Sequence, residues 1–162
     1  MWSDTKSHTN YAVSNFIIRR HLIFTVCLFD ELIDRMIKYS DNEAMVLLYE
    51  RLPVSEQEDL YSQLGVDPSV LSNPSASLSV KQYSVFFRIL FNASYLSRAN
   101  SERALKLLSE TSFDSGLRAG VPKNILISHK FGERKINDQL QQLHDCGIVY
   151  YPNHPYLLCI MS

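Results

Sequence analysis

Two short groups of residues have types that could act on a substrate, and the first lies between two apolar segments. Ser40, Asp41 and Asn42 form a polar break there, which can present all three side chains to a cleft. A serine hydroxyl can relay a proton, and a carboxamide can both donate to and accept from a substrate amide. The same residue types also cap helices. For this group alone, capping is therefore the more common interpretation.

The second group lies at the end of a predicted strand near the C-terminus. Lys130 can pair with a substrate carboxylate, and Gly132, which has no side chain, lets a ligand lie along the strand edge. Phe131 stands between them. Taken alone, this group is better explained as a solvated lysine followed by a turn glycine.

Predicted helices surround the first group. Asp30 is predicted to cap a helix with an apolar stripe. A second helix is predicted from about Ala44 and must stop before Pro53. Ser55 and Glu58 form a predicted capping box for a third helix. The first group thus falls between two helices.

The character of the chain changes from helical to extended towards the C-terminus. Residues 65–79 are loop by composition, and further helices are predicted over about 80–97 and 101–111. Helices first and strands last predict an α+β fold with a C-terminal antiparallel sheet of about three strands. The predicted strands cover residues 124–131, 147–151 and 156–161, with a turn at 152–155.

In this order and context, the two groups resemble motifs of the penicillin-recognising serine enzymes, which include class A β-lactamases and D-alanyl-D-alanine peptidases. That family carries S-x-x-K, S-D-N and K-T-G. Residues 143–152 and 156–161 are also similar to its last two sheet strands. The resemblance implies a partial β-lactamase/transpeptidase-like domain at residues 30–162, after an uncertain N-terminal leader at 1–29.

The resemblance implies a role for each residue of the two groups. Ser40 would shuttle a proton towards the leaving amine. Asn42 would hydrogen-bond the acyl-amide side chain of the substrate, and Lys130 would bind its carboxylate. Gly132 would keep the strand edge open, whereas Phe131 replaces the usual Thr or Ser and removes one hydroxyl contact. The implied substrate is a β-lactam or a peptidoglycan stem peptide, with no cofactor and no metal.

The serine nucleophile of that family is not identified in this sequence. An S-x-x-K motif places the amine one helical turn from the hydroxyl, so that it can take the proton. Ser3 with Lys6 matches, but this pair lies among polar residues too close to Ser40 and is a poor candidate. Residues 65–79 also lack the Glu of class A enzymes, and Asp67 is predicted to be a cap or turn residue. We therefore expect catalysis to be impaired.

Composition argues against several other classes of protein. The chain has 16 Lys and Arg against 17 Asp and Glu, which gives no signature of nucleic-acid or anionic-membrane binding. Its apolar run at 22–29 is too short for a membrane span, and no signal peptide is recognised. The resemblance nevertheless implies a periplasmic or other extracytoplasmic location. Cys27, Cys146 and Cys159 have no metal-ligand spacing and are predicted to be small buried side chains.

Three interpretations stay open. The chain is an acyl-transfer enzyme, with lactamase, carboxypeptidase or transpeptidase activity; or it is a non-catalytic truncated fragment or pseudoenzyme; or it is a helical interaction module whose motifs are coincidental. The last strand, near residues 157–161, is expected to expose an edge that favours self-association.

Overall fold

The structure, a computed structural model, describes residues 28–72, 78–136 and 139–162. Helices occupy the first part of the chain and a sheet the last part, so the predicted α+β class is confirmed. Helix α1 covers residues 28–38 of the described part. It is followed by α2 (Asn42–Tyr49), α3 (Val54–Gln63), a 3₁₀ turn (Pro68–Leu71), α4 (Val80–Asn92), α5 (Arg98–Ser109), α6 (Leu117–Gly120), β1 (Ile127–Ile136), β2 (Gln139–Val149) and β3 (Tyr156–Met161).

Two of the predicted helix starts are wrong. Residues 28–30 are already helical, so Asp30 lies inside α1 and does not cap it. Helix α3 begins directly after Pro53, and no side chain caps it, so Ser55 is a helical residue and no capping box forms. Pro53 itself occupies the N-cap position, and its side chain has no oxygen that could accept from the first backbone nitrogens.

The region predicted as one helix over 80–97 contains a helix end and a new start. Ser79 begins α4 through a capping box with Gln82. Ala93 then adopts a left-handed conformation with φ of 48° and ends α4, as such residues commonly do. Ser97 caps α5 by accepting from the backbone nitrogen of Asn100.

The sheet has the order β1-β2-β3, and both of its ladders are antiparallel. Both β1 and β2 extend beyond the predicted strands, because their polar residues pair through backbone bonds without the apolar alternation that reveals a strand. The predicted hairpin between β2 and β3 is confirmed, with Asn153 at φ of 62° in its turn. Strand β3 is an edge of the described sheet.

Apolar side chains pack on both faces of the sheet. On one face, Phe87 of α4 and Leu108 of α5 pack against Cys146 and Ile148 of β2. On the other face, Leu117 at the start of α6 packs with Ile125, Ile127 and Val149. The helices thereby fix β1, which carries Lys130, relative to the α1–α2 turn. Within the described residues, no helix is long and apolar enough to cross a membrane.

Two of the three cysteines are joined rather than present as separate thiols. Cys146 and Cys159 stand opposite each other in the β2–β3 ladder and form a disulfide. The predicted burial is confirmed for Cys146, which is 0% exposed, whereas Cys159 is only half-buried. Sequence spacing did not reveal the pairing, which depends on strand register. Cys27 lies outside the described residues.

Candidate active site

Ser40 lies in the tight turn between α1 and α2. Its φ of 52° places it in the left-handed region, which is sparsely populated by residues other than glycine. The backbone nitrogen of Asp41 donates to the carbonyl of Arg35 at 3.3 Å, and the backbone nitrogen of Ser112 donates to the carbonyl of Lys38 at 2.8 Å. The turn is therefore held both by α1 and by the segment after α5.

Asp41 caps the helix that follows. Its carboxylate accepts from the backbone nitrogens of Glu43 at 2.9 Å and Ala44 at 3.1 Å, and a guanidinium nitrogen of Arg35 lies 2.6 Å from it. The hydrogen bond from Ala44 lowers the pKa of Asp41 below its ordinary value, partial desolvation opposes that shift, and Arg35 adds to it. The capping interpretation is thus confirmed for Asp41, which turns its carboxylate towards α2 and Arg35.

Lys130 of β1 meets Ser40, although the two residues are 90 positions apart in the chain. The Lys130 Nζ donates to the Ser40 Oγ and also to the carbonyl oxygen of Phe131, at 3.2 Å. Both side chains are half-buried. Burial lowers the pKa of Lys130, and the charge of Asp145 partly opposes this. The fold therefore brings the two sequence groups into one site.

Phe131 forms an aromatic wall beside that lysine. The Lys130 Nζ lies 4.7 Å from the centroid of the Phe131 ring, within the range of a cation–π contact. Phe113 stacks on the same ring, with centroids 3.9 Å apart and planes 17° apart. An apolar ring thus borders the ammonium where the family motif has a hydroxyl.

Gly132 follows in β1 and faces His144 of β2. A Cβ atom built on Gly132 would overlap the Nε2 and Cε1 atoms of His144. Tyr83 packs edge-on against His144 at 5.0 Å between centroids, and its hydroxyl donates to the Lys130 carbonyl at 3.4 Å. Burial raises the pKa of Tyr83 to about 12 and lowers the pKa of His144. Gly132 therefore makes room for a neighbouring side chain, a role that the sequence analysis did not foresee.

The remaining predicted residues have different outcomes. Asn42 is the first residue of α2 and is exposed. Asp67 caps the short 3₁₀ turn, accepting from the backbone nitrogen of Ser69 at 2.9 Å, so its prediction as a cap or turn residue is confirmed. Ser3 and Lys6 lie outside the described residues.

A buried hydrogen-bonded pair of side chains behind Lys130 was missed by the sequence analysis. The Nδ1 of His129 lies 3.0 Å from Oδ1 and 3.1 Å from Oδ2 of Asp145, and the backbone nitrogen of Leu117 donates to Asp145 at 2.9 Å. His129 is 1% and Asp145 4% exposed. Opposite His129, Gly147 allows the strands to approach, because a Cβ there would lie 2.5 Å from the His129 Cβ. The pair joins β1, β2 and α6 immediately beside Lys130.

Metal-ligand clusters are not found in the described part of the chain: no group of three or more His, Cys, Asp or Glu side chains there could hold a metal ion.

Comparison with known proteins gives a consistent picture. The sequence pattern of the beta-lactamase enzyme family matches residues 27–162. PBP-A is similar with 25% identity and a TM-score of 0.69, over 81% of this chain and 50% of that chain. A mutant of PBP-A in an acyl-enzyme complex with penicillin G is similar with 24% identity and a TM-score of 0.66, over 81% and 50% of the two chains. A beta-lactamase from Chitinophaga pinensis DSM 2588 has 23% identity and a TM-score of 0.68, over 81% and 54%.

The chain thus spans about half the length of the solved structures that it matches. No curated protein matches it. The partial fold expected from the sequence is confirmed by this coverage together with the matching helices and sheet.

Proposed function

Because the chain belongs to the beta-lactamase enzyme family, we propose that it is a β-lactamase-type serine hydrolase whose site binds β-lactams or D-alanyl peptides. The observation that carries this proposal is the hydrogen bond between the Lys130 Nζ and the Ser40 Oγ. It joins a proton-relaying hydroxyl to a cation beside an open strand edge. These are two of the parts that acyl transfer to a carboxylate-bearing substrate requires.

The proposed roles follow the positions of the side chains. Lys130 binds the substrate carboxylate, and Ser40 relays a proton between Lys130 and the leaving nitrogen. Asn42, exposed at the start of α2, hydrogen-bonds the acyl-amide side chain of the substrate. Phe131 and Gly132 border the strand edge along which the substrate lies.

A non-catalytic version of the same site is the second candidate. The Lys130 ammonium already contacts the Ser40 hydroxyl, the Phe131 carbonyl and the Phe131 ring. Burial, which lowers its pKa, also disfavours the charged form of the amine. Both features favour weak binding and slow turnover, as expected for an impaired enzyme or pseudoenzyme.

The proposal is tested by measuring equilibrium binding of benzylpenicillin and of an acyl-D-alanyl-D-alanine peptide to the full chain, together with nitrocefin hydrolysis. Lys130→Met should weaken binding about ten- to hundredfold, because a hydrogen bond to a charged group is worth about 1.5–3 kcal/mol. The exposed Lys123→Met is the matched control and should bind like the parent chain. Binding without hydrolysis would favour the non-catalytic candidate. Absence of binding, or equal binding by the Lys130→Met variant, would contradict the proposed site.

We also propose an extracytoplasmic location. The disulfide between Cys146 and Cys159 supports it, because such bonds persist in oxidising compartments. Thiol labelling of the protein taken directly from its cells tests this: the pair should be protected until a reductant is added. Labelling of both thiols without reductant would contradict it.

Self-association through β3 is a further proposal about partners. Residues 156–161 of this edge strand carry no charged side chain, and Ile160 is 57% exposed. Edges of this kind pair with other strands. Sedimentation velocity should show concentration-dependent dimers that Ile160→Lys abolishes and Val54→Lys, at another exposed apolar residue, retains. A monomer at all concentrations would contradict the proposal.

A further inference from the structure

We propose that the cavity between α4, α5 and the start of β1 binds a small amphipathic carboxylate, a molecule with one carboxylate group and an apolar body. Its volume of about 670 Å³ falls within the range of about 300–1,000 Å³ that is usual for small-molecule sites. Neither Ser40 nor Lys130 lines it. Such a site goes beyond the function proposed above and is independent of it.

Apolar side chains form the walls of this cavity. They come from α4, from α5 and from the chain just before β1 and just after β2: Leu90, Phe91, Leu105, Leu126 and Tyr150. Phe91 is 46% and Leu126 56% exposed, and the ring centroids of Phe91 and Tyr150 lie 6.4 Å apart. An acyl chain or an aryl group can cover these side chains, and its burial is favourable in proportion to the apolar area removed from water.

One face of α5 gives the cavity a polar end and an apolar middle. Arg98, Ser101, Leu105 and Ser109 are spaced three or four residues apart, so they lie along one face of this helix, and all four line the cavity. The N-terminal end of a helix also favours an anion, because its first backbone N–H groups carry partial positive charge. The carboxylate of the ligand therefore belongs beside Arg98 and Ser101, with the apolar body extending over Leu105.

Ser101 supplies a hydrogen-bond donor that the fold leaves unused. It is 1% exposed, and its Oγ has no hydrogen-bond partner among the described residues. The other two serines of the cavity differ, because Ser109 donates to the carbonyl of Lys106 and Ser128 to the carbonyl of Leu105, each at 2.7 Å. A buried hydroxyl without a partner is unfavourable, and a carboxylate oxygen can accept from it.

The charged side chains of the cavity favour an anion. They are two cations, Arg98 and Lys106, and one anion, Glu102. Arg98 lies 3.5 Å from Glu102, and the two side chains are 82% and 66% exposed, so this ion pair contributes little. A carboxylate at Ser101 can therefore compete with Glu102 for the guanidinium, and the surplus positive charge attracts it.

The test titrates the full chain with octanoate and with naphthoate and follows the backbone amides by NMR. We expect the amide shifts to change at residues 98–109 and 126–128, around the cavity. Neutral octanol should bind more weakly than octanoate, and added salt should weaken the binding of octanoate because it screens exposed charges. Tighter binding of octanoate would assign the cavity to acyl chains and tighter binding of naphthoate to aryl acids, and either result supports the proposal.

Variants of the two polar residues identify the donors. Ser101→Ala should weaken octanoate binding about tenfold or more, because a hydrogen bond to a charged acceptor is lost. Arg98→Gln should weaken it about two- to fivefold, as expected for an exposed ion pair, and this exposed position guards against misfolding of the Ser101 variant. Ser62→Ala and Arg51→Gln are matched controls at exposed residues outside the cavity and should bind octanoate like the parent chain.

The absence of shift changes around the cavity would overturn the inference. So would unchanged octanoate binding in both Ser101→Ala and Arg98→Gln, or binding of octanol as tight as that of octanoate. Shift changes confined to the surroundings of Lys130 and abolished by Lys130→Met would also overturn it, because the carboxylate would then bind only at the proposed active site. The two proposals can fail separately, since Lys130→Met should not alter octanoate binding in the cavity and Ser101→Ala should not alter the Lys130-dependent binding of benzylpenicillin.

Discussion

Removal of the Asp145 carboxylate tests whether the pair behind Lys130 anchors the site. Asp145→Ala leaves two buried donors without an acceptor, the Nδ1 of His129 and the backbone nitrogen of Leu117. Each unsatisfied buried donor costs about 1–3 kcal/mol, so the free energy of unfolding should fall by about 2–6 kcal/mol. That loss is a large fraction of the roughly 5–15 kcal/mol that stabilises a typical domain.

Asp145→Asn keeps the measurement possible if the alanine variant does not fold. Its carboxamide keeps one accepting oxygen, which in the position of Oδ2 can take the hydrogen bonds of both donors. What is lost is the negative charge of the acceptor, so the loss should be smaller than in Asp145→Ala, roughly 1–3 kcal/mol. Asp114→Ala, at an exposed carboxylate, is the control and should change the free energy by less than about 0.5 kcal/mol.

Urea unfolding followed by circular dichroism measures all three variants. The expected order of stability is parent, Asp114→Ala, Asp145→Asn and Asp145→Ala. Losses below about 1 kcal/mol for both Asp145 variants would refute the reasoning, because a buried orphan donor then costs less than the lower bound assumed here.

Three further predictions concern the strands and the α1–α2 turn. Gly132→Ala should lower the free energy of unfolding by about 1–3 kcal/mol, because the added methyl group overpacks against His144. Adding His144→Ala should restore part of that stability, and urea unfolding that shows the two losses simply adding would contradict this. Reduction of the disulfide between Cys146 and Cys159, 13 positions apart, should lower the free energy of unfolding by about 2–3 kcal/mol. The urea midpoint of the parent should therefore fall when a reductant is added, whereas the midpoint of Cys159→Ala should not change with the reductant. Because the pKa of Asp41 is lowered in the folded chain, the stabilisation by its carboxylate is complete above the ordinary pKa of about 3.9 and is lost as the pH falls through the folded pKa. The difference in melting temperature between the parent and Asp41→Ala should therefore shrink on acidification. A difference that does not change with pH would contradict this prediction.

Much of the architecture could be predicted from local signals. The helix-then-strand order and the turn at residues 152–155 follow from hydrophobic periodicity and turn composition. The boundaries were less predictable, because caps depend on backbone conformation: Ala93 ends α4 in a left-handed conformation that its residue type does not announce. The extent of β2 was missed because residues 139–145 are mainly polar and pair through backbone groups.

The sequence by itself determined which residues are available to the site: a serine at a helix break and a lysine before a glycine on a late strand. Those types and their order were enough to indicate the family. Tertiary structure alone decided that Lys130 reaches Ser40, that Asp41 is used in capping, and that Gly132 accommodates His144. The physical reason is that these contacts join positions far apart in the chain. Register, strand pairing and helix packing set the distances between them, and no local pattern encodes those distances.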